Sequence, residues 1–314
     1  MDRSTLMLSF DVEDWSHHAA RYLGLPDVHS KGAAFERQMR VVFDVLDELQ
    51  VSATFFLLGS TMACYPDIIR ELAQRGDEIA CHGYHHHRVY MQTEDDFRRD
   101  IEQALELTER LTGQRPVGYR APEFSINRES IWAYEALADL GFQYDSSLNH
   151  SPRIPRRLRF IPSKPFRMRL PSGRELFELP IAVFRRSGLH LPVGGGSYFR
   201  LLPYPLVAHA LAQCTTVRDA APVYFHPYEV DPLPLKAPGG EATGAGGHLR
   251  AGLYNLWYNL RRASIRTRFQ RLAQEFRLVP YQEAIQQMKN ETVGAACTLT
   301  TDGTFVAVKG QEPA

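Results

Sequence analysis

Long apolar runs are missing from these 314 residues. No stretch approaches the ~18 consecutive apolar residues of a membrane-spanning helix, so no transmembrane helix is predicted. Cysteine is scarce: Cys64, Cys81, Cys214 and Cys297 are scattered and form no CxxC pair. A reduced, disulfide-free protein is expected. Net charge is absent too, because 36 Lys and Arg balance 36 Asp and Glu; global charge gives no case for a nucleic-acid partner. No internal repeat is visible. The opening stretch MDRSTLMLSFDVEDW has too short an apolar segment for a signal peptide and no small-residue cleavage site, and the expected location is cytoplasmic.

What is present suits a globular core: 44% hydrophobic and 23% charged residues, in a length that fits one large domain or two ordinary ones. Short apolar runs at 6–10, 53–58, 77–82, 117–120, 142–148, 176–183 and 222–226 read as strands. Helical spacing recurs between them. Phe35, Met39, Val42, Phe43, Leu46 and Leu49 share one helix face. Pro66 and Gly76 bracket another helix, and Thr93 and Gly113 a third. Asn127 can cap a fourth that stops at Gly141, and 204–214 reads as a fifth. Short buried strands alternating with helices are the pattern of a parallel sheet with outer helices. Seven or so such units over ~250 residues suggest an incomplete (β/α) barrel.

Two regions break the pattern. The run 153–174, from Arg153 to Arg174, carries eight Lys and Arg and no acid. Residues 236–247 are rich in Gly and Ala and read as a flexible loop, followed by a helix over 249–276 and a last strand and helix over 278–288. The expected organisation is one domain over 1–288, including a helical extension from about 236, and an irregular tail over 289–314 that makes at most a small hairpin around Asp302 and Gly303.

The reactive side chains fall at strand C-terminal ends, where parallel α/β folds bind ligands. The first strand ends in Asp11, followed by Glu13 and Asp14; the third ends in His82, with His86 four residues on; others end in Arg120 and His226. Two imidazoles at H-x-x-x-H spacing and a carboxylate from the first strand would leave positions open on a hydrolytic metal. Asp11 and His226 are the candidates for base and acid. Arg120 read alone could be a structural ion-pair partner, and Trp15 could stack on a sugar ring or sit in the core.

The ordered segments SFDVEDW, CHGYHHH, GYRAPEFSI, YDSSL and YFHPYE resemble the five motifs of the polysaccharide deacetylases, the NodB-homology group or carbohydrate esterase family four. SFDVEDW, GGGSYFRLLPY and HPYEVDP look closest to the subfamily of exopolysaccharide biosynthesis loci. The resemblance implies a distorted (β/α) barrel and metal-dependent removal of N-acetyl groups from N-acetylhexosamine units of a polysaccharide or lipid-linked glycan precursor. It implies Asp11 as base, His82 and His86 as metal ligands, Arg120 as the group orienting the base, and His226 as general acid. It places Asp145 and Ser146 in a groove-shaping motif. By composition GGGSYFRLLPY could be a flexible linker, but its glycines, aromatics and arginine also suit a loop closing over a sugar, which gives Tyr198 and Arg200 to substrate binding. The family's second aspartate is replaced by Val12, so Glu13 or Asp14 must supply the third ligand. His85 and His87 read as rim residues. The ion suits Zn2+, with Co2+, Ni2+ or Fe2+ as alternatives. The 153–174 run could meet an anionic glycan or a membrane surface. Other functional readings are an imide or ureide hydrolase on the same fold, and an inactive carbohydrate-binding protein.

Overall fold

The computed structural model describes residues 3–24, 32, 34–149, 158–186, 189–215, 220–237, 244–290 and 295–308. β1 (Thr5–Val12) leads through α1 (Trp15–Leu23) and α2 (Phe35–Leu49) to β2 (Thr54–Leu57). Then come α3 (Gly59–Cys64), α4 (Pro66–Gln74) and β3 (Glu78–Cys81). α5 (Glu94–Thr112) precedes β4 (Gly118–Tyr119), and α6 (Trp132–Asp139) precedes β5 (Tyr144–Asp145). The second half runs β6 (Phe166–Arg169), β7 (Glu175–Glu178), β8 (Phe184–Arg186), β9 (Leu189–Leu191), α7 (Gly196–Leu201), α8 (Tyr204–Cys214) and β10 (Ala221–Phe225). It ends with α9 (Pro227–Val230), α10 (Gly244–Asn259), α11 (Ile265–Glu275), β11 (Arg277–Val279), α12 (Tyr281–Asn290) and the strands β12 (Ala295–Leu299) and β13 (Phe305–Ala307).

Seven strands pair in parallel in the order β10-β1-β2-β3-β4-β5-β7, and β11 adds beside the start of β1. The ring is not closed by strands: β7 continues into antiparallel β6. Across the gap the chain after β7 closes it by single hydrogen bonds, Ile181 to the Leu148 carbonyl at 3.0 Å and Ala182 to the Pro222 carbonyl at 3.0 Å. This is the distorted, incomplete (β/α) barrel expected. β1 is buried on both faces, as a parallel strand under helices must be, and α2 lays Phe35, Met39, Val42, Phe43 and Leu46 on the same core as Phe10 and Phe55.

Three expectations need correction. The hairpin expected around Asp302 and Gly303 is present as β12 and β13, but the tail is not a free appendage, because β12 pairs in parallel with β6 at the far edge of the main sheet. The helix expected over 249–276 is broken where Arg261 adopts a left-handed φ of 60°, and its first part already starts at Gly244, inside the stretch read as a loop. β6 lies in the basic run. Its Phe166 and Met168 point into the core while Arg167 and Arg169 face out, a period of two that marks a half-buried strand.

Candidate active site

β1 delivers Asp11 to the C-terminal rim of the sheet, buried at 3% exposure. Arg120 follows β4 and is wholly buried. Its Nη1 donates to Asp11 Oδ1 at 2.5 Å and Ser9 Oγ at 3.0 Å. Nη2 donates to Ser146 Oγ at 3.1 Å and Tyr281 Oη at 2.6 Å, and Nε to the Ser146 carbonyl at 3.3 Å. A guanidinium has five N–H groups, and here each has a partner. Its plane also lies 4.0 Å from the Phe56 ring. Burial opposes the charge, but Asp11 and the surrounding oxygens outweigh it and hold the pKa above its ordinary value. A charge so fully satisfied is fixed in position, and it fixes the Asp11 carboxylate with it.

Beyond Asp11 the chain turns, with Glu13 N–H donating to the Asp11 carbonyl at 3.0 Å. Glu13 Oε1 then lies 3.0 Å from His86 Nε2 and 3.4 Å from His82 Nε2. The three ligand atoms lie within 4.8 Å of one another, all buried. His82 Nδ1 pairs with the Arg120 carbonyl at 2.8 Å. A carbonyl only accepts, so Nδ1 carries the proton and Nε2 presents a lone pair. That Nε2 is buried with no hydrogen-bond partner. Gly83, at φ 75°, and His86, at φ 60°, make the tight turn that brings the second imidazole back beside the first. Burial opposes the Glu13 charge, yet His86 and Arg21 together hold its carboxyl well below the usual range.

His226 follows β10 and closes the other side. Its Nδ1 lies 3.0 Å from Glu229 Oε2 and its Nε2 3.7 Å from Glu13 Oε1. Burial would lower its pKa, but the carboxylates of Glu13 and Glu229 push it up to about 10. Asp11, Glu13, His82, His86, Tyr224 and His226 share one cleft of about 400 Å³. His85 and His87 are exposed, stacked 5.4 Å apart, and line a neighbouring cavity rather than this cleft.

Other candidates stand elsewhere. Asp14 is not in the cluster: it is the N-cap of α1, accepting from Ser16 N at 2.8 Å and from Tyr65 Oη, because the carboxylate directly before a helix is captured by its free N–H groups. Trp15 is core, with its ring 5.1 Å from Tyr254 and Nε1 bonded to the Lys236 carbonyl at 3.0 Å. Arg200 is fully buried and donates to the carbonyls of Trp257, at 3.0 Å, and Leu260; it ties α7 to the end of α10 and does not face the cleft. Tyr198 is 40% exposed but does not line the cleft. Asp145 and Ser146 are fully buried. They support the site from below, Ser146 through Arg120 and Asp145 by accepting from Ser147 Oγ at 2.6 Å. Of the basic run, 153–157 lie outside the described residues; Arg167 and Arg169 pair with Glu175, and Arg174 with Glu135 and Asp139.

The sequence reading missed Arg21, whose Nη2 lies 2.5 Å from Glu13 Oε2, and His18, which lines the cleft with Nδ1 2.6 Å from Tyr254 Oη. The packing around His18 holds its ring neutral, with burial the main cause of a pKa lowered to about 3. It also missed Tyr281 and Glu229. A usable signal existed for the first two: His18 and Arg21 are three apart on α1, the helix that starts directly after the metal-type carboxylate.

Residues 3–144 match the family model for polysaccharide deacetylases, and residues 152–286 match a second, described as a domain of unknown function, DUF3473. A peptidoglycan deacetylase-like protein of Gibberella zeae is 36% identical over 108 residues, 33% of this chain and 31% of that one. The peptidoglycan-N-acetylglucosamine deacetylase of Bacillus cereus is 35% identical over 95 residues, 30% of this chain and 34% of that one. The match thus spans about a third of these relatives. A solved structure from Mycobacterium smegmatis, classed with the polysaccharide deacetylases, superposes with a TM-score of 0.59 at 20% identity, covering 93% of each chain, a likeness of fold. Residues 3–144 thus form a polysaccharide deacetylase domain.

Proposed function

We propose that this protein is a metal-dependent N-deacetylase that hydrolyses the acetamido group of N-acetylhexosamine units in a polysaccharide or lipid-linked glycan precursor of exopolysaccharide biosynthesis. The observation that carries the reading is the meeting, in one cleft, of the Glu13, His82 and His86 cluster with the Arg120-held Asp11 and with His226. The donor set fits a divalent cation. Two imidazole nitrogens and one carboxylate oxygen converge, and the orphaned lone pair of His82 Nε2 has no other partner. Glu13 rather than Asp14 is therefore the third ligand. Zn2+ suits this set first, with Co2+, Ni2+ and Fe2+ next.

A cation held there supplies Lewis acidity and acidifies the water it binds. The residues of the chain do the rest. Asp11 accepts the proton of the attacking water, and Arg120 keeps its carboxylate in one orientation. His226 is the general acid: with Nδ1 held by Glu229, its Nε2 is the atom that donates to the amide nitrogen as the C–N bond breaks. Acetic acid and a free amine leave, Asp11 holding one proton of the water and His226 having given one to the amine, and proton exchange with solvent resets both groups.

Acetate release from N-acetylglucosamine oligomers, measured with and without a chelator, tests the reading. Release that stops with chelator and returns with Zn2+ supports it. Chelator-insensitive release, or none from any N-acetylated glycan by the metal-loaded protein, overturns it.

A further inference from the structure

Large exposed hydrophobic side chains are concentrated on one short helix face. In α10 and the residue after it, Leu249 (65% exposed), Leu253 (58%), Leu256 (65%), Trp257 (53%) and Leu260 (49%) all face outward. At 100° per residue these five positions span an arc of about 100°, with Arg250 and Arg261 along one border of the stripe. The opposite face is already satisfied. Tyr254 and Tyr258 pack on Trp15 at 5.1 and 4.9 Å. Asn255 accepts from Ala237 N at 2.8 Å, and Asn259 accepts from Leu235 N at 2.7 Å. The helix is clamped to the body by its polar and tyrosine face, so the leucine stripe does not serve to hold it there.

We propose that the α10 stripe docks the protein onto an anionic lipid surface. Between Glu241 and Glu275 the chain has no Asp or Glu; of its six arginines Arg262 and Arg268 are buried and Arg266 and Arg271 pair with Glu48 and Glu275, which leaves Arg250 and Arg261 beside the stripe. Arg250 and Arg261 are exposed and bond only to the carbonyls of Tyr22 and Leu201 among the described residues. A stripe of Leu and Trp bordered by Arg is the composition of a helix that lies in a membrane interface, where each nearby arginine is attracted to anionic headgroups. Its size also favours lipid over protein. A strip of 12 residues is roughly 18 Å long and 10 Å wide, well below the ~800 Å² per partner of a stable protein interface. The stripe stands beside the cleft: Tyr22 of α1 lines it and stacks on Tyr254 of α10 at 4.4 Å. Docking there would present the cleft to a glycan carried on the membrane. The docking itself stands independently of the reaction assigned to the cleft.

Vesicle flotation of the full chain tests it. With phosphatidylcholine vesicles containing about 30% phosphatidylglycerol the protein floats, and with phosphatidylcholine alone it does not. Trp257 is the exposed one of three tryptophans, so emission shifts to the blue on binding, and Trp257→Phe removes the shift. Leu253→Glu or Leu256→Glu lowers the bound fraction about tenfold or more, with unchanged far-UV circular dichroism and unchanged acetate release from soluble oligomers. Arg250→Glu with Arg261→Glu weakens anionic binding, as does raised salt. Absence of flotation overturns the proposal, as does equal binding to neutral vesicles. So does a solution dimer that Leu256→Glu splits, which would make the stripe an interface between copies.

Discussion

The bulkiest fully buried side chains among the described residues are two arginines, and the two regions use them in opposite ways. In the deacetylase domain Arg120 bonds a carboxylate, two serines and a tyrosine at the floor of the cleft. In the second region Arg200 bonds only backbone carbonyls, and so does its neighbour Arg262, through Leu233 and Tyr228; Arg268 holds the Phe199 and Leu202 carbonyls together with the Ser264 hydroxyl. One region spends its buried cation on orienting a reactive group. The other uses cations as clamps on helix ends and loops, where unpaired carbonyls would otherwise be buried. Burial lowers the pKa of Arg200 and brings that of Arg262 down to about 10, whereas Arg120, facing a carboxylate, is raised. A buried arginine is thus a sign of function only when its partner carries charge and faces a cleft.

The sharpest way to break this comparison is at the floor. Asp11→Asn keeps an acceptor for Arg120 but removes the base, and turnover is expected to fall about a thousandfold while bound metal, measured by elemental analysis, is unchanged. Arg120→Met and Arg200→Met come next. Each leaves buried oxygens unpaired and costs roughly 3 kcal/mol in urea denaturation. Only Arg120→Met should also abolish acetate release; the folded Arg200 variant stays within about twofold of wild type. Equal activity losses in the two would erase the distinction. Arg21→Ala, which frees Glu13 Oε2, is expected to weaken metal affinity about 10- to 100-fold in a chelator competition, with little change in melting temperature.

The smallest effect concerns pH. Glu178 and Asp145 are buried side by side, and burial raises both carboxyls above their ordinary range, Glu178 the more strongly. The folded state therefore holds a proton that the unfolded chain has released above its ordinary carboxylate pKa. Stability falls as pH climbs from that range through the raised value, by at most ~1.4 kcal/mol per pH unit for one proton. Glu178→Gln can donate to Asp145 without titrating, so its urea midpoint should vary less between pH 5 and 8 (~3 units) than that of wild type. An unchanged slope would mean that the pair is not protonated.

Much of the floor could be read from the chain because its chemistry and its position coincide. Asp11, His82, Arg120 and His226 each end an apolar run, and strand ends in a parallel fold face one side. The third carboxylate could not be settled by spacing, since Glu13 and Asp14 differ by one step of backbone. What separates them is that α1 begins at Trp15 and takes Asp14 as its cap, a signal present in Asp-Trp-Ser but outweighed by the search for a ligand. Trp15 and Arg200 were misread for a different reason. Their partners, Tyr254 and the Trp257 carbonyl, are 239 and 57 residues away, and nothing local predicts such contacts. β6 was hidden by its own arginines, whose alternation with Phe166 and Met168 marked a strand that composition alone showed as a basic run.

The central claim is that Glu13, not Asp14, completes a metal centre with His82 and His86. It is tested most directly by the metal content of three purified proteins: wild type, Glu13→Ala and Asp14→Ala. The account predicts about one divalent ion per chain in the wild type, a near-complete loss in Glu13→Ala, and wild-type content in Asp14→Ala, which should instead lose about 1 kcal/mol of stability with its helix cap. Metal retained by Glu13→Ala and lost by Asp14→Ala would contradict it.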